Sequence, residues 1–126
     1  MSDMMKTIAE RFKLQPELKD LVIKPYYRPE SLGKNEPSLI IVPMAPPKQK
    51  GYGSDKPLRK EFTYQITIEA KTKVRCTEIA LACERVMLEL GFTQLNGGLD
   101  EYFIETARYV DARRYRGYSK LYDTNY

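Results

Sequence analysis

The chain has 126 residues, a formal net charge of +4 at pH 7, 42% hydrophobic residues and no histidine. This length and apolar content suit one hydrophobic core, so we predict a single domain over residues 1–118 and a loose C-terminal tail at 119–126. No apolar run approaches the ~18 residues of a membrane span and no signal-peptide block opens the chain, so we expect a soluble protein made in a cytoplasm, without a membrane partner.

The N-terminal third predicts two short helices, a connection rich in helix breakers, and one strand. Ser2 can cap the first helix, and Pro16 suits the first turn of the second. In the first of these helices, apolar residues recur at helical spacing: Met4 or Met5, Ile8 and Phe12. Prolines and a glycine between 24 and 37 indicate a loop. The short apolar run at 38–42 predicts a strand.

Residues 44–59 contain three prolines, two glycines and several lysines. A connection of this length is uncommon in a compact domain and is usually functional or disordered. We therefore predict a mobile loop without regular structure that docks on a partner, with contact residues Lys48, Lys50, Tyr52 and Asp55. Because Asp and Pro favour turns, the alternative is a packed turn at 54–57 that fixes the register of the flanking strands.

The clearest periodicities lie between residues 62 and 90. Apolar side chains occupy every second position from Phe62 to Ala70, which predicts a strand with one buried face. After a plausible N-cap at Thr72 the apolar spacing changes to three and four, which predicts an amphipathic helix ending before Gly91. The helix can fold back onto the strand, and this pair is the predicted core. Cys76 and Cys83 lie on the core-facing side of the helix and are expected to be buried free thiols.

The C-terminal third predicts further strands. Residues 92–95 can form a short strand, and Asn96, Gly97 and Gly98 suit a hairpin turn. A longer strand is expected over 101–114. Its apolar residues occur at both odd- and even-numbered positions, so either both faces of the strand are covered or a bulge shifts the register. The predicted elements are thus about four strands, one long amphipathic helix and an N-terminal helix.

Signs of catalysis are scarce. Without histidine, the commonest general base and metal ligand is missing, and the cysteines lack a partner for nucleophilic catalysis. Gly51 and Gly53 do not extend into a phosphate-binding motif. We expect no enzyme activity, no cofactor and no metal site.

Two surface features go beyond a core. Leu81 and Leu88 fall together about 150° from the centre of the apolar stripe of the helix, at ~100° per residue. They predict a subunit interface; the alternative is that the N-terminal helix covers them through Ile8 and Phe12.

The second feature is a set of arginines interleaved with tyrosines near the end of the last strand, a combination that can contact nucleic acid. Arg113, Arg114 and Arg116 are the candidate DNA-facing residues. Alternation along a strand places Arg113 on one face and the other two on the opposite face. A solvated strand end, paired with acidic neighbours, is the alternative.

Several short motifs together resemble a family of small structural proteins in tailed phages of Gram-positive bacteria. They are residues 54–58 (Ser-Asp-Lys-Pro-Leu), 64–66 (Tyr-Gln-Ile), 90–92 (Leu-Gly-Phe), the glycine pair at 97–98, and 113–117 (Arg-Arg-Tyr-Arg-Gly). The chain looks like the tail-completion or tail-terminator class, over residues 39–118.

This resemblance implies an α+β fold, with a mostly antiparallel sheet of about four strands and the long helix and N-terminal helix packed on one face. It also implies a homo-oligomeric ring, commonly a hexamer, that caps the tail tube, joins it to the head connector and lets DNA pass. We expect any DNA contact to be weak and non-specific, because tight binding would hinder exit of the DNA. The partners of the ring would be the tail tube protein and the head connector protein, and the ring would be found in the tail or neck of a virion assembled in the host cytoplasm. A head-closure or minor tail subunit is the nearest alternative. A small basic nucleic-acid-binding regulator is the alternative from a different class.

Overall fold

A computed structural model of the chain describes residues 3–19, 21–25, 37–44, 48–53 and 56–118. The described part contains two α-helices, a short 3-10 helix and seven strands. In chain order they are α1 (Asp3–Lys13), the 3-10 helix (Pro16–Leu18), β1 (Val22–Pro25), β2 (Ser38–Pro43), β3 (Lys48–Gly53), β4 (Lys56–Ala70), α2 (Lys73–Glu89), β5 (Thr93–Gln94), β6 (Leu99–Phe103) and β7 (Arg108–Tyr118). The tail at 119–126 and the connection at 26–36 lie outside the described residues.

The predicted pairing of a central strand with the long helix is confirmed. Alternate residues of β4 from Phe62 to Ala70 are buried, and the apolar positions of α2 lie in the same core. This core also includes the buried side of α1 and residues of β2 and β7. Both cysteines are buried and free. Burial raises the pKa of Cys76 to about 11, and it raises that of Cys83 as well.

Both ends of α2 are fixed by local hydrogen bonds. The Thr72 hydroxyl accepts a hydrogen bond from the backbone N–H of Arg75 at 3.2 Å. At the other end, the N–H groups of Gly91 and Phe92 donate to the carbonyls of Leu88 and Met87. This is a Schellman motif with glycine at φ +86, a conformation in which other residues would be strained.

The sheet is larger than the roughly four strands predicted. Its central order is β1-β2-β4-β7-β5, with β3 also paired to β4 and β6 also paired to β7. All described pairs are antiparallel except β1 with β2, which is parallel. The α+β class is therefore confirmed, and the sheet is mixed, with mostly antiparallel pairing.

The region predicted as a structureless loop at 44–59 contains most of a β-hairpin, so that prediction is wrong. β3 pairs with β4 from Lys48 opposite Glu61 to Gly53 opposite Lys56, which leaves a two-residue connection at 54–55. β3 lies along the same side of β4 as β2: Pro43 of β2 is opposite Tyr64, and Lys48 of β3 is opposite Glu61. The lysine-rich β3 has no apolar alternation, so its strand form follows from pairing with β4.

The prediction of one strand over 101–114 is also wrong. A turn at 104–107 separates β6 from β7, and Ala107 adopts φ +55 there. The turn explains why apolar residues occur at both odd- and even-numbered positions, because the segment consists of two separate strands. Gly97 and Gly98 have positive φ as expected, but they do not reverse the chain. They join β5 to β6 along one edge of β7.

Two glycines are required by close approach of other groups. A Cβ on Gly117 would lie 2.6 Å from the Phe92 ring, and a Cβ on Gly98 would lie 2.3 Å from the carbonyl oxygen of Ala112. Phe92 follows α2, so its packing on Gly117 fixes the end of the helix against the last strand. These contacts keep β5, β6 and the end of α2 in place on β7.

Candidate functional site

The outer side of α2 carries an apolar row that the described residues leave exposed. Leu81 is 49% exposed and Leu88 is 55% exposed, and Val74, one heptad earlier, is 77% exposed. We call these three residues the outer stripe. Val74 was missed at the sequence level, although its spacing of seven from Leu81 places it on the same side of the helix.

The N-terminal helix does not cover the outer stripe, because α1 packs on a different flank of α2. Ile8 and Phe12 are fully buried in the core, whereas the stripe stays exposed. Ion pairs tie this flank together: Arg11 lies 3.0 Å from Glu89, and Arg85 lies 2.9 Å from Glu17 at the 3-10 helix. The alternative of an internal cover through Ile8 and Phe12 is therefore wrong among the described residues.

The strand register separates the three candidate DNA-facing arginines. Arg113 lies opposite Ile66, a core-facing residue, so it is on the helix-covered face, while Arg114 and Arg116 are on the other face. The predicted split of the arginines over two faces is confirmed by this register. Its consequence is that the three side chains cannot act together on one ligand.

Arg113, one of the residues predicted to face DNA, is held in an ion-pair network on the helix-covered face. Its guanidinium donates two hydrogen bonds to Asp111, at 2.9 and 3.2 Å, and lies 3.5 Å from Glu84 of α2. Burial raises the pKa of the Asp111 carboxyl, and the cation of Arg113 partly offsets that effect. The network joins α2 to β7 and is structural in character.

Arg114 and Arg116 lie on the face of the sheet opposite α2. Arg114 donates to the Gln65 side chain at 3.3 Å, and Arg116 lies 3.8 Å from the Glu61 carboxylate. Arg116 is thus partly neutralised, whereas Arg114 is exposed and has a neutral partner. Of the predicted trio, these two therefore share the face of the sheet that α2 does not cover.

A shallow polar cleft opens beside α2, where β5 passes into β6. Its volume is about 430 Å³, and its lining includes Asp100, Asp111 and Arg113. Lys73 forms an ion pair with Asp100, and Arg113 neutralises Asp111. Among the described residues no group of three His, Cys, Asp or Glu side chains could hold a metal ion. The charged groups of the cleft thus have partners within the chain.

The segment predicted as a docking loop forms an extension of the sheet. Lys48, Lys50 and Tyr52 are on β3, and Asp55 lies outside the described residues. β7 ends at Tyr118, which lies opposite Glu61. Among the described strands, only β3 therefore pairs with residues 56–60. We call residues 48–60 the basic arm, since they contain five lysines or arginines and one acidic residue.

At the far end of β4, the turn between β6 and β7 carries exposed apolar and acidic side chains. Ile104 at the turn is 82% exposed, and Tyr102 is 48% exposed although its ring packs 4.8 Å from that of Tyr109. Glu101 and Glu105 are also exposed and form no ion pair with any described residue. We call residues 99–108 the acidic hairpin. Sequence reasoning missed it because the turn contains no glycine or proline.

Comparison with known proteins gives no assignment: no protein-family model matches the chain, and no curated protein matches it significantly. Among the described residues, no helix is both long and apolar enough to cross a bilayer. Function therefore has to be argued from the surfaces described above.

Proposed function

We propose that this chain is a ring-forming structural subunit of a tailed phage, which terminates the tail tube and joins it to the head connector. The observation that carries the proposal is the outer stripe of Val74, Leu81 and Leu88, which the described part of the chain leaves exposed along α2. The motif resemblance supplies the biological setting, and the exposed stripe supplies the physical need for a partner.

A heptad-spaced apolar row is suited to packing against another protein surface. Fully burying one Leu or Val side chain contributes about 1.5–3 kcal/mol, so covering the exposed parts of three gives on the order of 3 kcal/mol. That is too little for a stable pair of copies, since ordering and association costs exceed it. In a closed ring the same contact repeats around the circle, and weak contacts combine.

The proposed setting is the virion neck, where the ring would contact the tail tube on one side and the head connector on the other. DNA would pass through the ring, and Arg114 and Arg116 are the residues proposed to face it. Such contacts should be weak and independent of sequence, because tight binding would hinder DNA exit. The two arginines, one of them paired with Glu61, suit that requirement.

The proposal is tested with Leu81→Lys/Leu88→Lys. Because both side chains are exposed, the change should alter the free energy of unfolding by less than about 0.5 kcal/mol. Native mass spectrometry should find that the ring is lost, and the variant should fail to join tails to heads in a lysate lacking the native copy. Leu14→Lys is the matched control: Leu14 is also exposed, but it lies outside the stripe.

Three results would contradict the proposal. If the double variant still joins tails to heads, the stripe has no role in assembly. If antibody labelling places the protein elsewhere in the virion, a head-closure or minor tail subunit is favoured. If the wild-type protein is a monomer or dimer with tight, salt-dependent DNA affinity, it is a nucleic-acid-binding regulator.

A further inference from the structure

We propose that the basic arm of one copy docks on the acidic hairpin of the next copy. This would be a head-to-tail contact of the proposed ring in addition to that of the outer stripe, and its biological setting rests on that proposed function.

The charge of the chain is concentrated in the arm. Residues 48–60 contain Lys48, Lys50, Lys56, Arg59 and Lys60 against the single acid Asp55. The whole formal net charge of +4 is therefore carried by these thirteen residues, and the rest of the chain is neutral overall. A charge imbalance confined to one extension favours a partner surface of opposite sign.

The acidic hairpin has the complementary charge. It contains Asp100, Glu101 and Glu105 against one cation, Arg108, which lies 3.6 Å from Glu69. Asp100 is engaged by Lys73, so Glu101 and Glu105 remain available among the described residues. Most other described acids form ion pairs within the chain, whereas Glu101 and Glu105 form none with the described residues.

The two elements cannot meet within one chain. The end of the arm nearest the hairpin is at the pair of Lys48 with Glu61, and the hairpin lies beyond the pair of Ala70 with Tyr109. From Glu61 to Ala70, β4 is one continuous strand that spans about 30 Å at ~3.3 Å per residue. Any contact between arm and hairpin is therefore between copies.

Such a contact is heterologous, because one end of a copy meets the other end of its neighbour. Heterologous contacts close into rings when the rotation between copies permits, which an isologous dimer contact does not do. Both surfaces also combine charge with apolar residues: Tyr52 and Leu58 in the arm, and Tyr102 and the highly exposed Ile104 in the hairpin. A second copy is the occupant that satisfies both features.

The test exchanges the charges of the two surfaces. The arm variant is Lys48→Glu/Lys50→Glu, and the hairpin variant is Glu101→Lys/Glu105→Lys. In each variant alone, like charges face each other, and the dissociation constant between copies should rise about ten- to hundredfold. Mixing the two variants pairs each reversed surface with its complement and should restore assembly, as should the chain that carries all four substitutions.

Native mass spectrometry and sedimentation of the full chain measure these outcomes, and higher salt should weaken wild-type assembly. Lys6→Glu/Lys19→Glu is the control, because it changes net charge equally at exposed positions outside the arm. Glu101→Gln/Glu105→Gln removes the acidic charge without reversal, and should weaken assembly less than the lysine variant. It also tests the hairpin if the lysine variant fails to fold.

The inference is overturned if the reversed variants assemble like wild type, if the mixture does not recover, if the control fails equally, or if wild type stays monomeric. If the arm variant assembles normally but no longer joins tails to heads or no longer binds DNA, the arm serves another partner, and the inference is overturned while the ring proposal stands. Conversely, charge-dependent assembly by a protein that never joins tails to heads supports the inference and rejects the proposed function.

Discussion

Gly117→Ala tests the contact that fixes the end of α2 against β7. An added Cβ would lie 2.6–2.7 Å from three atoms of the Phe92 ring, about 1 Å closer than ordinary carbon contact. Phe92 cannot easily withdraw, because it is buried, its N–H donates to Met87 at 2.8 Å and its ring lies 6.1 Å from that of Tyr64. We expect the free energy of unfolding to fall by about 1–3 kcal/mol through overpacking.

For a chain of this size, 1 kcal/mol changes the melting temperature by roughly 3–5 °C, so the expected loss is about 3–15 °C. Urea unfolding followed by circular dichroism gives the free energy directly. The decisive measurement is a double-mutant cycle with Phe92→Ala, which removes the ring atoms that the new methyl group meets. By itself Phe92→Ala should cost about 3–5 kcal/mol, but Gly117→Ala should then cost little or fill part of the cavity.

Gly97→Ala serves as the control for this cycle. Gly97 has φ +93, but a Cβ there has no neighbour nearer than 3.9 Å, so its cost is backbone strain alone. That cost, about 1 kcal/mol, should be the same with and without the Phe92 ring. If Gly117→Ala is equally costly in both backgrounds, steric contact with Phe92 is not the reason for the glycine, and this contact does not fix the end of α2 on β7.

The remaining predictions concern thiols, acid dependence and DNA. The two cysteines of α2 are buried and should resist alkylation until the protein unfolds. Rapid labelling of the native protein would contradict the conclusion that this side of α2 faces the core. Burial raises the pKa of Asp111 above 3.8, so the folded state holds this proton more tightly than the unfolded chain. This contribution to stability is present below the unfolded pKa near 3.8 and is lost as pH rises through the folded pKa, so Asp111→Asn should reduce the fall in the free energy of unfolding as pH rises above 3.8; urea unfolding with the same pH dependence in both proteins would refute this. Free protein should bind DNA with a Kd of about 10⁻⁴ to 10⁻⁶ M at physiological salt by filter binding, more weakly after Arg114→Gln/Arg116→Gln. Arg113→Gln should leave DNA affinity unchanged but lower stability by about 1–3 kcal/mol, because Asp111 loses its cation; tight, sequence-selective binding would favour the regulator.

The sequence by itself determined the elements whose side-chain period is imposed by their own backbone. Alternation from Phe62 to Ala70 and the three-four spacing of α2 each identify one buried face without reference to the rest of the chain. Thr72 and Gly91 end the helix through local hydrogen bonds, so its limits were also predictable. The position of Leu81 and Leu88 on the outer side of α2 was predictable from the sequence, but whether another element covers them was not.

Only the tertiary structure decided the edges of the sheet and the assembly surfaces. β3 has no apolar pattern and becomes a strand because β4 offers it backbone partners. The turn at 104–107 lacks glycine and proline, so only the pairing of β6 with β7 reveals it. The ion pairs of Arg113 with Glu84 and of Arg116 with Glu61 join residues that are distant in sequence. The physical reason is common to all three: backbone pairing and ion pairing depend on which distant groups the fold brings together, and local side-chain pattern does not record that.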